Sequence, residues 1–131
     1  MDLEISPLAP KSFPQMPFVN GVRMATANTE TKYKGRPDLL LIDLVSGTSV
    51  AGVFTNSTAP GHPVIWCRDK LPKGKARGLV VNAGNANVFN GKSGMQAVEA
   101  IAKSVSALLH CTKNEVYVAS TGVIGEKLDP S

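Results

Sequence analysis

The stretch VVNAGNANVFNGKSG, residues 80–94, decides how this chain of 131 residues is interpreted. A β-rich run reaches glycines, and Gly91-Lys92-Ser93 then opens a helical pattern, which is the order found in phosphate-binding loops. Those loops have the shorter spacing G-x-x-x-x-G-K-S/T, whereas six residues separate Gly84 from Gly91 here. A phosphate- or nucleotide-binding module that uses Gly91, Lys92 and Ser93 therefore stays an alternative, behind the leading hypothesis developed below.

Three asparagines in the same stretch need another explanation. The side chains of Asn82, Asn85 and Asn87 can bond to neighbouring backbone groups, and asparagine tolerates left-handed backbone conformations. We therefore predict a tight, self-bonded turn that holds the end of the preceding strand next to another element. In this interpretation the asparagines support a site and do not themselves react.

Apolar runs on both sides of this stretch predict short strands over residues 38–45, 49–54, 63–67, 76–81 and 115–120. The first run is continuous in its apolar residues and is therefore expected to be covered on both faces. The first two runs are separated by a Gly-containing turn and predict a hairpin. Residues 1–20 are rich in proline and predict an extended lead-in.

A helical period begins at Gly94 and is expected to end near His110. Ser93 is predicted as the N-cap, with Gln96 completing a capping box. The apolar stripe of this helix comprises Val98, Ile101, Ala102, Val105, Leu108 and Leu109. The following strand delivers Thr121-Gly122 at its C-terminal end. The element order β-β-β-β-α-β predicts an α+β fold with short connections.

Composition limits the class of protein. Hydrophobic residues at 43% and charged residues at 18% are typical of a globular domain, and no apolar run approaches the roughly 20 residues that span a bilayer. The N-terminus carries Asp2 and Glu4 and matches neither a secretory signal nor a mitochondrial presequence. We therefore expect a cytoplasmic protein that does not act at a membrane.

The remaining reactive residues favour structural roles. Cys67 and Cys111 lie far apart without a metal-binding spacing and are expected to be buried, reduced thiols. His62 and His110 are predicted to be structural. Five basic residues between positions 68 and 77 lack the interleaved aromatics that stack on bases, so they predict an exposed connection and no nucleic-acid surface.

Four segments together resemble the ornithine acetyltransferase family, which comprises glutamate N-acetyltransferases of arginine biosynthesis. They are VVNAGNAN, EVYVASTGVIG, GVRMATANTETKYKGRPDLLLIDL and SVAGVFTNSTAPGHPVIWCR. The resemblance extends over nearly the whole chain, from about Pro7 to Pro130. The family typically has serine at the position of Ala83 and threonine at that of Asn90. The resemblance implies a layered αββα sandwich completed by a partner chain. It identifies residues 1–131 as the N-terminal part of the α chain, ending before the self-cleavage threonine.

The resemblance also implies a chemistry. Members of the family move an acetyl group from N-acetylornithine to glutamate through the N-terminal threonine of a β chain cut from the same precursor. Acetyl-CoA is a possible co-substrate, no metal or organic cofactor is expected, and the expected assembly is an α2β2 heterotetramer.

Two residues of this chain match a functional motif of the family. Thr121 and Gly122 are expected to form the oxyanion hole, the first through its hydroxyl and the second through its backbone amide. The chain lacks the nucleophile and is not expected to be an enzyme alone. A non-catalytic interaction fragment is the remaining alternative.

Overall fold

A computed structural model describes residues 6–130 of the chain. Residues 1–5 of the predicted lead-in, and Ser131, lie outside the described residues. Residues 6–20 form neither helix nor strand and are exposed. The helices and strands that follow are β1 (Val22–Ala27), β2 (Leu39–Leu44), α1 (His62–Lys70), β3 (Gly78–Asn85), α2 (Gly91–Leu108) and β4 (Val116–Val123), with 3₁₀ turns at Leu71–Lys73 and Lys113–Glu115.

The strands form one sheet in the order β1-β2-β3-β4. The first two pairs are antiparallel, whereas β3 and β4 are parallel and are connected by α2. A parallel pair needs such a crossover because its two strands start at the same end of the sheet. The α+β class predicted from the sequence is thus found, with the element order β-β-α-β-α-β.

Helix α2 follows its apolar stripe. Ala97, Val98 and Ala102 are buried against the sheet, and the helix ends at Leu108. Just beyond the helix, His110 has the left-handed φ of 51°, which stops the helical path. The predicted N-cap is wrong by three residues. The helix starts at Gly91, its N-cap is Asn90, and Ser93 lies inside the first turn, where its hydroxyl donates to the Asn90 carbonyl at 2.7 Å.

The segment predicted as a strand over residues 63–67 is instead part of α1. Pro63 stands in the first turn of that helix, where its missing N–H costs nothing and its fixed φ is already helical. A five-residue apolar run does not distinguish a strand from a buried helical turn. The buried face of α1 carries Pro63, Trp66 and Cys67, and it packs along the outer edge of β4.

The predicted hairpin of residues 38–45 and 49–54 is also wrong. Strand β2 pairs with β1 on one side and β3 on the other, so both of its edges are occupied. Residues 50–54 form no strand. The preceding residue, Ser49, forms only an isolated β-bridge with Lys75. The sequence prediction missed β1, whose residues are mostly exposed.

One face of the sheet is better covered than the other. Leu39 and Leu41 of β2 pack against the buried core, whereas Leu40 and Ile42 point to the opposite face and are not packed against that core; all four are half-buried. The prediction that β2 is covered on both faces is therefore not met by the described residues. The core itself consists of Trp66, Cys67, Ala76, Val80, Val98, Ala102, Val116, Tyr117 and Val118.

Candidate active site

Strands β3 and β4 bring together the two segments that the sequence singles out. Their register places Asn82 opposite Ser120, Ala83 opposite Thr121, and Gly84 opposite Gly122. The asparagine stretch therefore runs beside the Thr-Gly pair for its whole length. The prediction that this stretch holds a strand end next to another element is confirmed, although β3 continues through Asn85 where a tight turn was expected.

The Thr121 side chain lies on the less covered face of the sheet. A side chain built at Gly78 would meet Val105 and Leu109, so residue 78 faces α2. Its partner across the ladder is Val116. Because successive residues of a strand point to opposite faces, Thr121 faces away from α2. Its residue is exposed, and within residues 6–130 its hydroxyl has no hydrogen-bond partner.

The backbone amide of Gly122 points to the outer edge of the sheet. At that edge the Val116 carbonyl accepts from the indole of Trp66 at 2.9 Å, and the Val118 carbonyl accepts from the Cys67 thiol at 3.2 Å. Backbone groups of a strand alternate between its two edges, so Gly122 shares the outer edge with these residues. Helix α1 covers that edge near Val116 and Val118, whereas Gly122 is exposed.

The next residue agrees with this alternation. The Val123 carbonyl points inward and accepts from the backbone N–H of Ala86 at 2.9 Å. One hydroxyl and one backbone N–H are therefore presented on adjacent residues at an accessible corner of the sheet. Both donors are neutral. The N–H belongs to the backbone of β4, and the hydroxyl is carried by the short side chain of Thr121 on the same strand.

Gly122 can be only glycine at this place. Its φ of 133° is a conformation that residues with a side chain rarely adopt. A Cβ atom built on Gly122 would lie 2.2 Å from the carbonyl carbon of Gly84. Gly84 itself has a φ of 110°, and a Cβ there would lie 2.7 Å from Cβ of Lys32. The two opposed glycines thus allow a close approach of backbones.

Asn82 links the two strands. Its side-chain oxygen accepts from the Ser120 hydroxyl at 2.5 Å, and its amide donates to the Asn85 carbonyl at 2.9 Å. Asn85 in turn accepts from the backbone N–H of Asn87 at 2.7 Å. The predicted self-bonding of the asparagine stretch is confirmed by these contacts.

Asn87 is fully buried, and its backbone is left-handed with φ 51°. Its amide donates to the Gly94 carbonyl at 2.9 Å, and its side-chain oxygen accepts from Asn90 at 3.1 Å. Its backbone carbonyl accepts from the N–H of His62 at 3.1 Å. A buried polar side chain is stable only when it is hydrogen-bonded, and here every polar atom of Asn87 has a partner.

The chain beyond Gly122 is held by the loop that follows β3. The amides of Asn85 and Asn90 both donate to the backbone carbonyl of Glu126, at 3.0 and 2.7 Å. The N–H of Gly125 donates to the Val88 carbonyl at 3.0 Å. On the other side, Lys32 forms an exposed ion pair with Glu126 at 3.0 Å. Sequence reasoning missed Asn90, Glu126 and Lys32, since contacts between distant segments leave no local pattern.

A second polar contact orders the segment that contains Lys32. The carboxylate of Asp38 is buried and accepts from the backbone N–H and the hydroxyl of Thr29, at 2.7 and 2.8 Å. The backbone N–H of Thr29 lowers the pKa of Asp38, and burial opposes this effect only in part. The contact fixes the loop between β1 and β2.

The residues of the phosphate-loop alternative have other contacts. Lys92 is exposed at the start of α2, and Ser93 donates its hydroxyl back to the chain at Asn90. The five basic residues of positions 68–77 do not form one patch. Arg68 donates to the Thr55 carbonyl, Arg77 donates to the Leu44 carbonyl, and Lys70 pairs with Asp69.

The other singled-out residues are structural in this fold. Cys67 is buried, Cys111 is half-buried, and both are free thiols. Burial raises the pKa of both thiols, which makes them poor nucleophiles. His62 packs against Gly94. Within residues 6–130, no three His, Cys, Asp or Glu side chains are grouped so that they could hold a metal ion.

In the part of the chain that the structure describes, no helix has both the length and the apolar character that crossing a bilayer requires.

Comparison with known proteins identifies relatives over nearly the whole chain. The model of the ArgJ family matches residues 23–131. The arginine biosynthesis bifunctional protein ArgJ of Bradyrhizobium diazoefficiens is 54% identical over 129 residues, which are 98% of this chain and 31% of that protein. The ArgJ protein of Agrobacterium fabrum is 54% identical over 131 residues, which are 32% of its length. The chain thus spans less than a third of the length of these curated relatives.

Two solved structures have the same fold. The crystal structure of the arginine biosynthesis bifunctional protein ArgJ from Bacillus halodurans matches with a TM-score of 0.79 at 30% identity, over 83% of this chain and 57% of that one. The ornithine acetyltransferase of Mycobacterium tuberculosis, solved in complex with ornithine, matches with a TM-score of 0.74 at 33% identity, over 83% of this chain and 60% of that one. These matches confirm the α+β fold that the resemblance implied.

Proposed function

Since the chain belongs to the ArgJ family, we propose that it is part of an acetyltransferase that moves an acetyl group from N-acetylornithine to glutamate in arginine biosynthesis. The observation that supports this role is the corner formed by Thr121 and Gly122. There a hydroxyl without a partner in residues 6–130 lies beside a backbone N–H that points to the open edge of the sheet. Both are donors held by a rigid element, as an oxyanion hole requires.

The proposed chemistry needs these two donors at one step. A threonine hydroxyl attacks the acetyl carbonyl of N-acetylornithine, and the carbonyl oxygen becomes an oxyanion in the tetrahedral intermediate. The C–N bond then breaks, ornithine leaves with the proton, and the acetyl group remains on the threonine oxygen. In the second half, the amine of glutamate attacks that ester through a tetrahedral intermediate whose oxyanion lies at the same place. The ester C–O bond then breaks, the proton lost by the amine returns to the threonine oxygen, and N-acetylglutamate leaves. Donors aimed at this oxygen lower both barriers.

The attacking threonine belongs, in this proposal, to a β chain cut from the same precursor. The lengths of the relatives support this division. The alignment with the curated Bradyrhizobium diazoefficiens protein uses 98% of this chain and covers 31% of that protein. The alignment with the solved Bacillus halodurans chain uses only 83% of this chain, yet it covers 57% of the solved chain. That solved chain is therefore much shorter than the curated protein. An α2β2 assembly is the corresponding proposal for the complete molecule.

The less covered face of the sheet supports a partner layer. Leu40, Ile42 and Val81 are half-buried there, and an apolar cavity of about 520 Å³ opens between α1 and the same face, next to Tyr117 and Ala119. A second sheet that packs on this face would bury the aliphatic side chains and would stand next to the Thr121 hydroxyl. The proposed αββα sandwich has such a layer.

Removing the Thr121 hydroxyl tests the proposal. In the full-length protein, Thr121→Val keeps the β-branched shape and should lower kcat for acetyl transfer about 100- to 1,000-fold, which is the usual effect of losing one oxyanion donor. Thr121→Ser keeps the hydroxyl and is the matched control, with an expected loss of less than about tenfold. An unchanged kcat in Thr121→Val, in protein that assembles normally, would remove Thr121 from the site.

A further inference from the structure

We propose that Asn85 and Gly84 are positioning residues that set the geometry of the Thr121–Gly122 pair by fixing the strand on both sides of it. The inference rests on the proposed function, because it assigns a task to residues around the same donors. The three contacts that carry it are the Gly84–Gly122 approach, the inward carbonyl of Val123, and the carbonyl of Glu126.

The first contact controls the direction of the Gly122 amide. At its φ of 133°, the peptide of Gly122 is rotated relative to a regular strand, and this rotation brings its backbone against Gly84. Any Cβ on Gly122 would lie 2.5 Å from the Gly84 carbonyl oxygen and 2.6 Å from the Asn85 nitrogen. The peptides of residues 84 and 85 therefore leave no room for a side chain on Gly122, and they lie behind the strand whose N–H points to the outer edge.

The second contact prevents the chain from relaxing after Gly122. The N–H of Ala86 binds the Val123 carbonyl at 2.9 Å, and the amide of Asn85 binds the Glu126 carbonyl at 3.0 Å. Asn90 adds its own amide to the same carbonyl at 2.7 Å. Without these bonds the segment 123–126 would keep, beyond the ladder, only the Gly125–Val88 backbone bond and the exposed Lys32–Glu126 ion pair, and the glycine would be freer to adopt other conformations.

Asn85 is suited to this role because the nitrogen and the oxygen of its side-chain amide make different contacts. Its oxygen accepts from the Asn87 N–H and shapes the loop, and its nitrogen donates to Glu126 and holds the segment after the donors. Asn85→Asp separates the two functions. The aspartate keeps the acceptor for Asn87 but presents an oxygen to the Glu126 carbonyl, which breaks that contact alone.

The experiment is a double-mutant cycle in the full-length protein, with acetyl transfer from N-acetylornithine to glutamate as the readout. Asn85→Asp should lower kcat about tenfold or more, since a small displacement of oxyanion donors is costly. KM for N-acetylornithine should change less than about threefold, since binding is not the function proposed for this residue. In a Thr121→Val background, Asn85→Asp should lower kcat by a smaller factor than in the wild type, because only the Gly122 amide is then left to be displaced and residues that act through shared groups are non-additive.

A control variant, an alternative variant and a second measurement accompany this cycle. Asn56→Asp introduces the same charge at an exposed asparagine and should leave kcat unchanged. Asn90→Ala removes the second donor to Glu126 without adding a charge, and it replaces Asn85→Asp should that variant fail to assemble. Hydrogen exchange of the backbone amides of residues 122–126 should be faster in Asn85→Asp and unchanged in Thr121→Val.

Two results would overturn the inference. One is a wild-type kcat in both Asn85→Asp and Asn90→Ala while Thr121→Val is impaired, which leaves the proposed function intact. The other is a loss of equal size with and without the Thr121 hydroxyl, together with unchanged hydrogen exchange of the amides of residues 122–126, which means that the asparagine acts independently of both donors. A normal kcat in Thr121→Val itself would instead overturn the proposed function, and the positioning role with it.

Discussion

Two glycines opposite one another in a parallel ladder are the residue-scale feature on which the site depends. Gly84 and Gly122 both have positive φ, and their backbones approach to a distance that excludes a methyl group on Gly122. A pair of this kind weakens a strand, since glycine loses more conformational freedom on folding than other residues. This geometry therefore lowers the stability of the fold. In the proposed site, the same geometry orients the Gly122 amide.

The steric demand at Gly122 predicts a large difference between two glycine substitutions. Gly122→Ala should destabilise the full-length protein by more than about 3 kcal/mol, since it adds a backbone clash to an unfavourable φ. Gly35→Ala also has a positive φ of 72° but meets no atom within 4 Å, so about 1 kcal/mol is expected. Denaturant midpoints of the two variants measure the difference. Equal midpoints would contradict the close packing of Gly122 on Gly84.

Sequence reasoning predicted part of this residue-scale arrangement. The hydrogen-bonding habits of asparagine predicted that residues 82–87 would bond to themselves, and the contacts of Asn82 and Asn85 are of that kind. The pairing of Gly84 with Gly122 was not predictable from either segment alone, because it depends on the register of two strands separated by a helix. Ser93 was predicted as a cap because Gln96 follows it at capping-box spacing, whereas its hydroxyl donates back to the Asn90 carbonyl inside the first turn.

At the scale of elements, the outer edge of β4 is protected by side chains where a further strand would otherwise pair. The indole of Trp66 and the thiol of Cys67 bind the carbonyls of Val116 and Val118. An unpaired strand edge invites association, and a helix laid along it is one way to prevent this. The cover stops before Gly122, so the same edge is closed at its start and open at the proposed site.

The loop between β1 and β2 gives a pH-dependent prediction. The Thr29 N–H lowers the folded-state pKa of Asp38 below its unfolded value of about 3.9. The stabilisation is therefore complete above that value and is lost as pH falls through the folded-state pKa. The denaturation midpoint of full-length Asp38→Asn should lie below that of the wild type at pH 7, and the gap should narrow below about pH 4.

Asp69→Asn is the matched control for this series. The Asp69 side chain is 70% exposed, so its pair with Lys70 should contribute little at any pH. A gap between wild type and Asp38→Asn that stays constant from pH 7 to pH 3 would contradict the role assigned to the carboxylate charge.

The element-scale errors share one physical cause. Short apolar runs report burial and not conformation, so residues 63–67 suit a strand or a buried helical turn equally well. Pro63 after Gly61 was the local signal for a helix start. Strand β1 was missed because an exposed edge strand carries little hydrophobic pattern. The stripe of α2 was predicted well except at Leu108, which is 65% exposed. Eighteen residues of one period leave less ambiguity than a short run.

At the scale of the whole molecule, the chain has a sheet with one face under α2 and another only half-covered. Its relatives are about three times as long, and the match to the ArgJ family covers residues 23–131. A resemblance of motifs predicted the family from the sequence, because short segments at fixed places are diagnostic even when element boundaries are not. The proposed partner layer is not predictable from the periodicity of this chain, since it would be built from residues outside it.

We propose that a second chain, which is cut from the same precursor and begins with threonine, completes the active site of this chain. The most direct test is intact mass and N-terminal sequencing of the polypeptides that co-purify when the full-length gene product is isolated through a tag at its N-terminus. We predict two polypeptides, the second starting with threonine, in a preparation that transfers acetyl groups from N-acetylornithine to glutamate. A single uncleaved polypeptide with full transfer activity would show that no second chain beginning with threonine is needed.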